Sequence, residues 1–113
     1  MREGLAFLPD SLDRVFHEPA RLAILSQLVR HPEGILFRDL RLACGLTDGN
    51  LSRHLKMLED ARAVRLEKGL VDRKTQTRVL VTDSGAEAFA LYLQQLREVV
   101  VAAKKRLRAG GGS

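Results

Sequence analysis

Two predicted helices separated by a very short turn limit the fold of this chain more than any other feature of its sequence. The first covers residues 37–43 and the second covers residues 47–61. Gly45 lies in the turn between them, where it supplies a backbone conformation that other residues avoid. One stripe of the second helix has apolar residues at the spacing i, i+4 and i+7, namely Leu51, Leu55 and Leu58. Two helices joined so closely predict a helix-turn-helix.

The pattern after the second helix predicts a β-hairpin. Apolar and polar residues alternate over residues 64–68 and again over residues 77–81, as in antiparallel strands with one buried face. The segment between them, residues 69–76, is polar and basic and is predicted to be the loop of the hairpin. A β-hairpin directly after a helix-turn-helix predicts the wing of a winged helix.

Shorter elements precede this unit. A short helix is predicted at about residues 11–16, and a longer one at residues 19–30 starts with Pro19, which suits the first helical position. The proline and glycine of residues 31–34 end that helix. Residues 35–36 are predicted to be a very short strand.

The last predicted helix is long, and its apolar stripe has two competing uses. Thr82 is expected to cap it, and it continues to about Arg108. Steps of three and four residues form a heptad pattern through Ala86, Phe89, Leu93, Leu96, Val100, Ala103 and Leu107. The stripe can pack on its own domain or on the same helix of a second copy. It extends beyond what a small core needs, and the apolar N-terminal segment also requires burial, so we favour a homodimer. The predicted dimer interface consists of Leu5, Phe7, Leu8, Phe89, Leu93, Leu96, Val100, Ala103 and Leu107.

These elements predict a mainly α fold with a small β-hairpin: a winged helix-turn-helix with a long C-terminal dimerisation helix. At 113 residues the chain has room for one compact domain, which we place at residues 1–108. The remaining residues, 109–113, are rich in glycine and are predicted to be a flexible tail.

Composition excludes several other classes of protein. The longest apolar run, residues 88–93, is far shorter than the roughly 20 residues that span a bilayer, and the first residues are not expected to act as a signal peptide. With a single cysteine, Cys44, no internal disulfide can form. A cytoplasmic location without membrane association is therefore expected. The histidines lack a metal-ligand spacing and no catalytic or phosphate-binding motif is present, so we expect no metal, no cofactor and no enzymatic activity.

The positive charge is concentrated in the predicted helix-turn-helix and wing. The whole chain has a net charge of +5, and residues 50–78 contain eight basic and four acidic side chains, a net +4. Because most of the excess charge lies in the motif itself, a polyanionic partner is expected there.

The side chains of residues 47–61 opposite the apolar stripe suit recognition of double-stranded DNA. Asn50 can form two hydrogen bonds with adenine and Arg53 two with guanine in the major groove, whereas Ser52 and Lys56 suit phosphate. The wing, residues 69–77, is expected to reach the DNA backbone or the adjacent minor groove. The predicted DNA-binding residues are Thr47, Asp48, Gly49, Asn50, Ser52, Arg53, His54, Lys56, Arg73, Lys74, Gln76 and Arg78.

Three segments carry a resemblance to a known family. Residues 12–25, residues 45–55 and the wing with the start of the last helix resemble the small MarR/ArsR-like winged-helix transcriptional regulators. The resemblance implies a homodimeric repressor or activator that binds a two-fold symmetric operator. In the wing, Asp72 and Thr75 depart from the family pattern, which has a small residue and a proline there.

Several alternatives stay open at this point. His54 precedes a core leucine, so packing competes with DNA contact as its role. Cys44 can be a small core residue or a redox-sensing thiol. Winged helices also act as protein-interaction modules without specific DNA binding, and fold alone does not decide between these functions. A small-molecule effector is possible, but no motif in the sequence supports it.

Overall fold

A computed structural model of the protein describes residues 14–110. It has the predicted mainly α fold with a small sheet, and residues 14–16 are helical where the described chain begins. In chain order the elements are α1 (Pro19–Val29), β1 (Ile35–Leu36), α2 (Phe37–Cys44), α3 (Asp48–Asp60), β2 (Val64–Val71), β3 (Lys74–Val81) and α4 (Asp83–Ala109). The predicted interface residues Leu5, Phe7 and Leu8 lie outside the described residues, as does most of the predicted tail.

The helix ends follow the expected local chemistry. Pro19 occupies the first turn of α1, and the Glu18 carboxylate caps this helix by accepting from the backbone N–H of Ala20. Helix α2 ends at Gly45, whose φ of 64° lies in the left-handed region. The hydroxyl oxygen of Thr47 accepts a 3.1 Å hydrogen bond from the backbone N–H of Asn50, which fixes the start of α3.

The three strands form an antiparallel sheet in the order β1-β3-β2, and the wing differs from its prediction. Strands β2 and β3 stay paired along their whole length, from Val64 opposite Val81 to Val71 opposite Lys74. Most of the predicted loop at residues 69–76 is therefore strand. Only Asp72 and Arg73 form the turn, with φ values of 51° and 68°. Two left-handed residues are what a type I′ turn requires, and this turn matches the twist of paired strands.

The core lies beneath α3 and between α1 and α4. Leu51, Leu55 and Leu58 of α3 are buried, as predicted. Phe16 packs edge-on against Phe89 and against Tyr92, with ring centroids 5.6 Å apart in both pairs. The N-terminal half of α4 therefore closes the core.

Helix α4 is joined to the end of α3 by a set of backbone contacts that we call the α3–α4 junction, formed by Arg62, Ala63, Thr82 and Gly85. The hydroxyl of Thr82 donates to the carbonyl oxygen of Arg62 at 2.7 Å. The backbone N–H of Thr82 donates to the carbonyl oxygen of Ala63 at 3.0 Å. A Cβ atom at Gly85 would lie only 2.2 Å from the carbonyl oxygen of Ala63. The first turn of α4 thus rests directly on the backbone that follows α3.

The two halves of α4 have different environments. Phe89 lies in the core of its own domain, so its assignment to the dimer interface is corrected: its side chain is not available to a second copy. Leu96 is half-buried against the core. From residue 97 onward every described residue of the helix is exposed. Within residues 14–110, no helix combines the length and apolarity needed to cross a membrane.

Candidate nucleic-acid interface

One face of α3 points away from the core and carries half of the predicted contact residues. We call it the α3 outer face: Asp48, Gly49, Asn50, Ser52, Arg53 and Lys56, all exposed. They are exposed because the opposite stripe of the same helix is buried in the core, which fixes the rotation of α3 about its axis. The space around Gly49 is open, with no atom within 4 Å of the position of an added Cβ.

The polar side chains of the α3 outer face have weak partners within the protein. Arg53 donates through Nη2 to Oδ1 of Asn50 at 3.3 Å, and Lys56 donates through Nζ to Oδ1 of Asp60 at 3.3 Å. Exposed pairs of this kind contribute little to stability. These groups can therefore exchange their partners for those of a ligand at small cost.

Asp48 is held differently from its neighbours. Its carboxylate accepts from Nε of Arg41 on α2 at 2.9 Å, which links the two helices on either side of the turn. An acid at this position lies close to the positive end of the α3 dipole. Asp48 thus already has an ion-pair partner at the surface, on the neighbouring helix.

His54 was included among the predicted DNA contacts, and the structure corrects this prediction. Its side chain is buried, because it lies on the side of α3 that faces α1. Its Nδ1 atom is 3.1 Å from Nη1 of Arg21, and its Nε2 atom is 3.6 Å from Oε2 of Glu18. Of the two roles that the sequence left open, packing is the one observed.

Sequence reasoning did not identify Arg21 as a partner of His54. Arg21 is itself buried, on the same face of α1 as Ile24, Leu25 and Leu28. A charged residue at an apolar position of a helix was the available signal, because such a residue needs a polar partner inside the fold. Val29, at the end of α1, is exposed.

The wing presents its basic side chains at two levels. Arg73 and Lys74 are exposed at the tip. Gln76 and Arg78 are half-buried farther down β3, and Nη1 of Arg78 lies 3.5 Å from the carbonyl oxygen of Gly34. A Cβ at Gly34 would meet the side chain of Arg78 at 2.7 Å, so this arginine packs over the glycine as part of the fold.

Among the residues that the structure describes, Cys44 and His17 are not part of a metal site. Cys44 is half-buried, and burial raises the pKa of its thiol, which lowers the fraction of reactive thiolate. His17 contacts the hydroxyl of Tyr92 through Nδ1 at 2.7 Å. Within residues 14–110, no three side chains of His, Cys, Asp or Glu are grouped so as to hold a metal ion.

A comparison with protein families gives a match to the winged helix DNA-binding domain over residues 20–100. The chain belongs to this winged-helix family. The match includes α1 to β3 and much of α4, and therefore contains the α3 outer face and the wing. It confirms the resemblance to winged-helix proteins drawn from the sequence.

Individual relatives agree with this assignment. The winged-helix chain is 31% identical to an uncharacterized protein of Methanocaldococcus jannaschii, MJ0432, over 76% of its own length and 92% of that protein. A transcriptional regulator homologue from Pyrococcus horikoshii OT3 has a TM-score of 0.76 at 27% identity, with 90% of this chain and 94% of that chain covered.

More distant structures share the fold alone. The Staphylococcus aureus MepR–DNA complex has a TM-score of 0.68 at 17% identity, with 89% of this chain and 82% of that chain covered. Transcriptional regulators of the MarR family, such as one from Silicibacter pomeroyi, are among the proteins with this fold.

Proposed function

We propose that this protein is a sequence-specific transcriptional regulator that binds double-stranded DNA as a homodimer, with α3 as its recognition helix in the major groove. The observation that carries the proposal is the α3 outer face, where Asn50 and Arg53 are exposed and only weakly paired above a rigidly buried stripe. Membership of a DNA-binding family supports it, as does the shared fold of a relative solved as a DNA complex.

Each exposed group has a role in this proposal. Asn50 reads adenine and Arg53 reads guanine, and breaking their mutual 3.3 Å hydrogen bond frees both side chains for base edges. Ser52 and Lys56 bind phosphate and fix the register of the helix on the duplex. Arg73 at the wing tip reaches the backbone or the neighbouring minor groove.

The exposed apolar side chains of α4 are the proposed surface for the second copy. Leu93, Val100 and Leu107 are separated by heptads, and each has between 44% and 74% of its side chain exposed. Ala103 lies between the last two and is also exposed. A pair of such helices would bury these residues and place two recognition helices on successive major grooves about 34 Å apart.

The proposed function is tested by selecting bound duplexes from a random pool at low and at moderate salt. We expect a two-fold symmetric motif to be enriched at both salt concentrations, because base contacts depend less on ionic strength than phosphate contacts do. Binding that disappears with salt and enriches no motif would contradict the proposal. It would leave a basic winged helix, and a protein partner would then be the next candidate.

The wing is tested separately with Lys74→Ala. Lys74 is exposed beside the turn, so its loss is expected to weaken binding to all duplexes alike and to reduce the slope of log K against log salt by about 1. Lys104→Ala removes the same charge from the exposed end of α4 and is the matched control. An unchanged slope in Lys74→Ala, measured by fluorescence anisotropy, would remove this lysine from the interface.

The dimer is tested with Val100→Asp. A charge in the middle of the paired apolar faces would be buried without a partner, which costs several kcal/mol, so the variant is expected to sediment as a monomer. Gln94→Glu adds the same charge at another exposed position of α4 and is expected to leave the dimer intact. If the wild type sediments as a monomer at micromolar concentration, the homodimer is disproved.

A further inference from the structure

The buried contact between α1 and the recognition helix defines the protonation state of His54. A guanidinium group can only donate hydrogen bonds, so the Nδ1 atom of His54, 3.1 Å from Nη1 of Arg21, must accept. The proton of the neutral ring then lies on Nε2, which faces the carboxylate of Glu18 at 3.6 Å. The contact as observed requires a neutral imidazole.

Arg21 connects this imidazole to the rest of the fold. Its Nε atom donates to the carbonyl oxygen of Val15 at 2.6 Å, and Nη1 also lies 3.3 Å from the sulfur of Met57, one turn after His54 on α3. Arg21 therefore holds α3 at two successive turns and ties it to the helical segment before α1. Arg53 is the residue directly before His54, so a shift of this contact moves its base-reading side chain.

A proton on Nδ1 of His54 is incompatible with the contact. It would set an N–H group against an N–H group of Arg21 and would add a second positive charge inside the fold. The charged groups that act on the ring are Glu18, which caps α1, Arg21 of α1 and Arg53 of its own helix. Only Glu18 favours the protonated ring.

We propose that Glu18, Arg21 and His54 form a positioning cluster that holds the recognition helix at its base-reading angle while His54 is neutral and releases it when His54 is protonated. The inference rests on the proposed DNA-binding function. It assigns to His54 an indirect role, through Arg53, and makes the specificity of DNA binding dependent on pH.

The electrostatic surroundings of the cluster favour the neutral form of His54. Burial lowers the pKa of His54, Arg21 and Arg53 lower it further, and Glu18 opposes them. For Glu18, burial raises the pKa, but the hydrogen bond from Ala20, the charge of Arg21 and, once it is protonated, the charge of His54 outweigh this effect and lower it. The lowered pKa of Glu18 favours its ionised form beside the ring.

The pKa of His54 also links the cluster to stability. The folded protein holds this ring neutral, whereas the unfolded chain protonates it below its ordinary pKa of 6.5. The stability gained from the neutral ring is therefore fully present above pH 6.5 and is lost as the pH falls through the folded-state pKa.

The test compares specific with non-specific DNA binding as the pH falls from about 7.5 to about 5 at constant salt. The two probes are the duplex enriched from the random pool and a scrambled duplex of the same composition. Their affinity ratio cancels the general effect of an added positive charge. In the wild type we expect the ratio to fall by about tenfold, the value of one misread base pair.

Two variants isolate His54 from other titrating groups. His54→Gln keeps an acceptor for Arg21 and a donor for Glu18 but cannot take up a proton, so its ratio is expected to stay constant with pH. His31→Gln removes an exposed histidine that pairs with Glu33 at 3.4 Å, and it is expected to behave as the wild type does. A proton NMR titration of the wild-type histidines gives a measurement that does not depend on either variant.

The outcomes separate this inference from the proposed function. The cluster is supported if the affinity ratio of the wild type falls with a pH midpoint equal to that of the His54 NMR titration and the ratio of His54→Gln stays constant. A ratio that does not change with pH in the wild type, or that falls with the midpoint of His17 or His31, overturns it and leaves DNA recognition standing. If no duplex is enriched at any pH, the proposed function itself fails, and this inference fails with it.

Discussion

Replacing Gly85 with alanine is expected to destabilise the fold by about 3 kcal/mol or more, because a methyl group has no room at this position. The added Cβ would lie 2.2 Å from the carbonyl oxygen of Ala63 and 2.7 Å from its Cα atom. Both are backbone atoms of the α3–α4 junction, so no flexible side chain can move aside. Either α4 would lift from the core or the chain after α3 would shift.

Chemical denaturation measures this effect, with Gly69→Ala as the matched control. No atom lies within 4 Å of a Cβ added at Gly69, so the same methyl group is expected to change stability by no more than about 1 kcal/mol. Equal midpoints for Gly85→Ala and the wild type would show that the close packing of α4 on residue 63 is not needed.

Replacing Arg53 with alanine is expected to weaken binding to the selected duplex by roughly 1–3 kcal/mol and to relax the preference at one base pair. Arg53 is exposed, and its one described hydrogen bond is to Asn50, so the folded state should lose little. The loss is specific to base reading, and binding to scrambled DNA should fall by much less.

Repeating the duplex selection with Arg53→Ala identifies the base pair concerned. Arg97→Ala removes the same charge from an exposed position of α4 and is expected to leave the selected motif unchanged. If Arg53→Ala enriched the wild-type motif with undiminished preference at every position, the assignment of Arg53 to base reading would be wrong.

Features that depend on neighbours along the chain were predictable from the sequence. The stripe of Leu51, Leu55 and Leu58 fixed both the extent of α3 and its outer face, and Thr47 marked its first turn. These predictions succeed because helix periodicity and capping need only a few consecutive residues. The order of the elements followed in the same way.

The wing was less predictable because its turn lacks the usual residues. A tight hairpin turn is normally indicated by glycine or asparagine, but here Asp72 and Arg73 adopt the left-handed conformation. The sequence therefore suggested a long loop where the strands in fact continue. Pairing of β2 with β3 continues to Val71 and Lys74, and this register leaves only two residues for the turn.

Contacts between distant positions were not predictable. Arg21 and His54 lie 33 positions apart, and periodicity alone cannot pair them. For the same reason, the sequence could not show which residues of the apolar stripe of α4 are buried. The stripe is continuous in sequence, yet Phe89 belongs to the core and Val100 is exposed, and only the position of the other helices decides where the core ends.

The α3–α4 junction has a consequence for how regulators of this shape can diversify. In a homodimer paired through α4, the distance between the two recognition helices depends on the angle at which α4 leaves Thr82 and Gly85. Under the proposed function, the choice of bases depends on Asn50 and Arg53 of the α3 outer face. The proposal therefore assigns half-site spacing and half-site sequence to separate residues, and we expect substitutions to change one of them without disturbing the other.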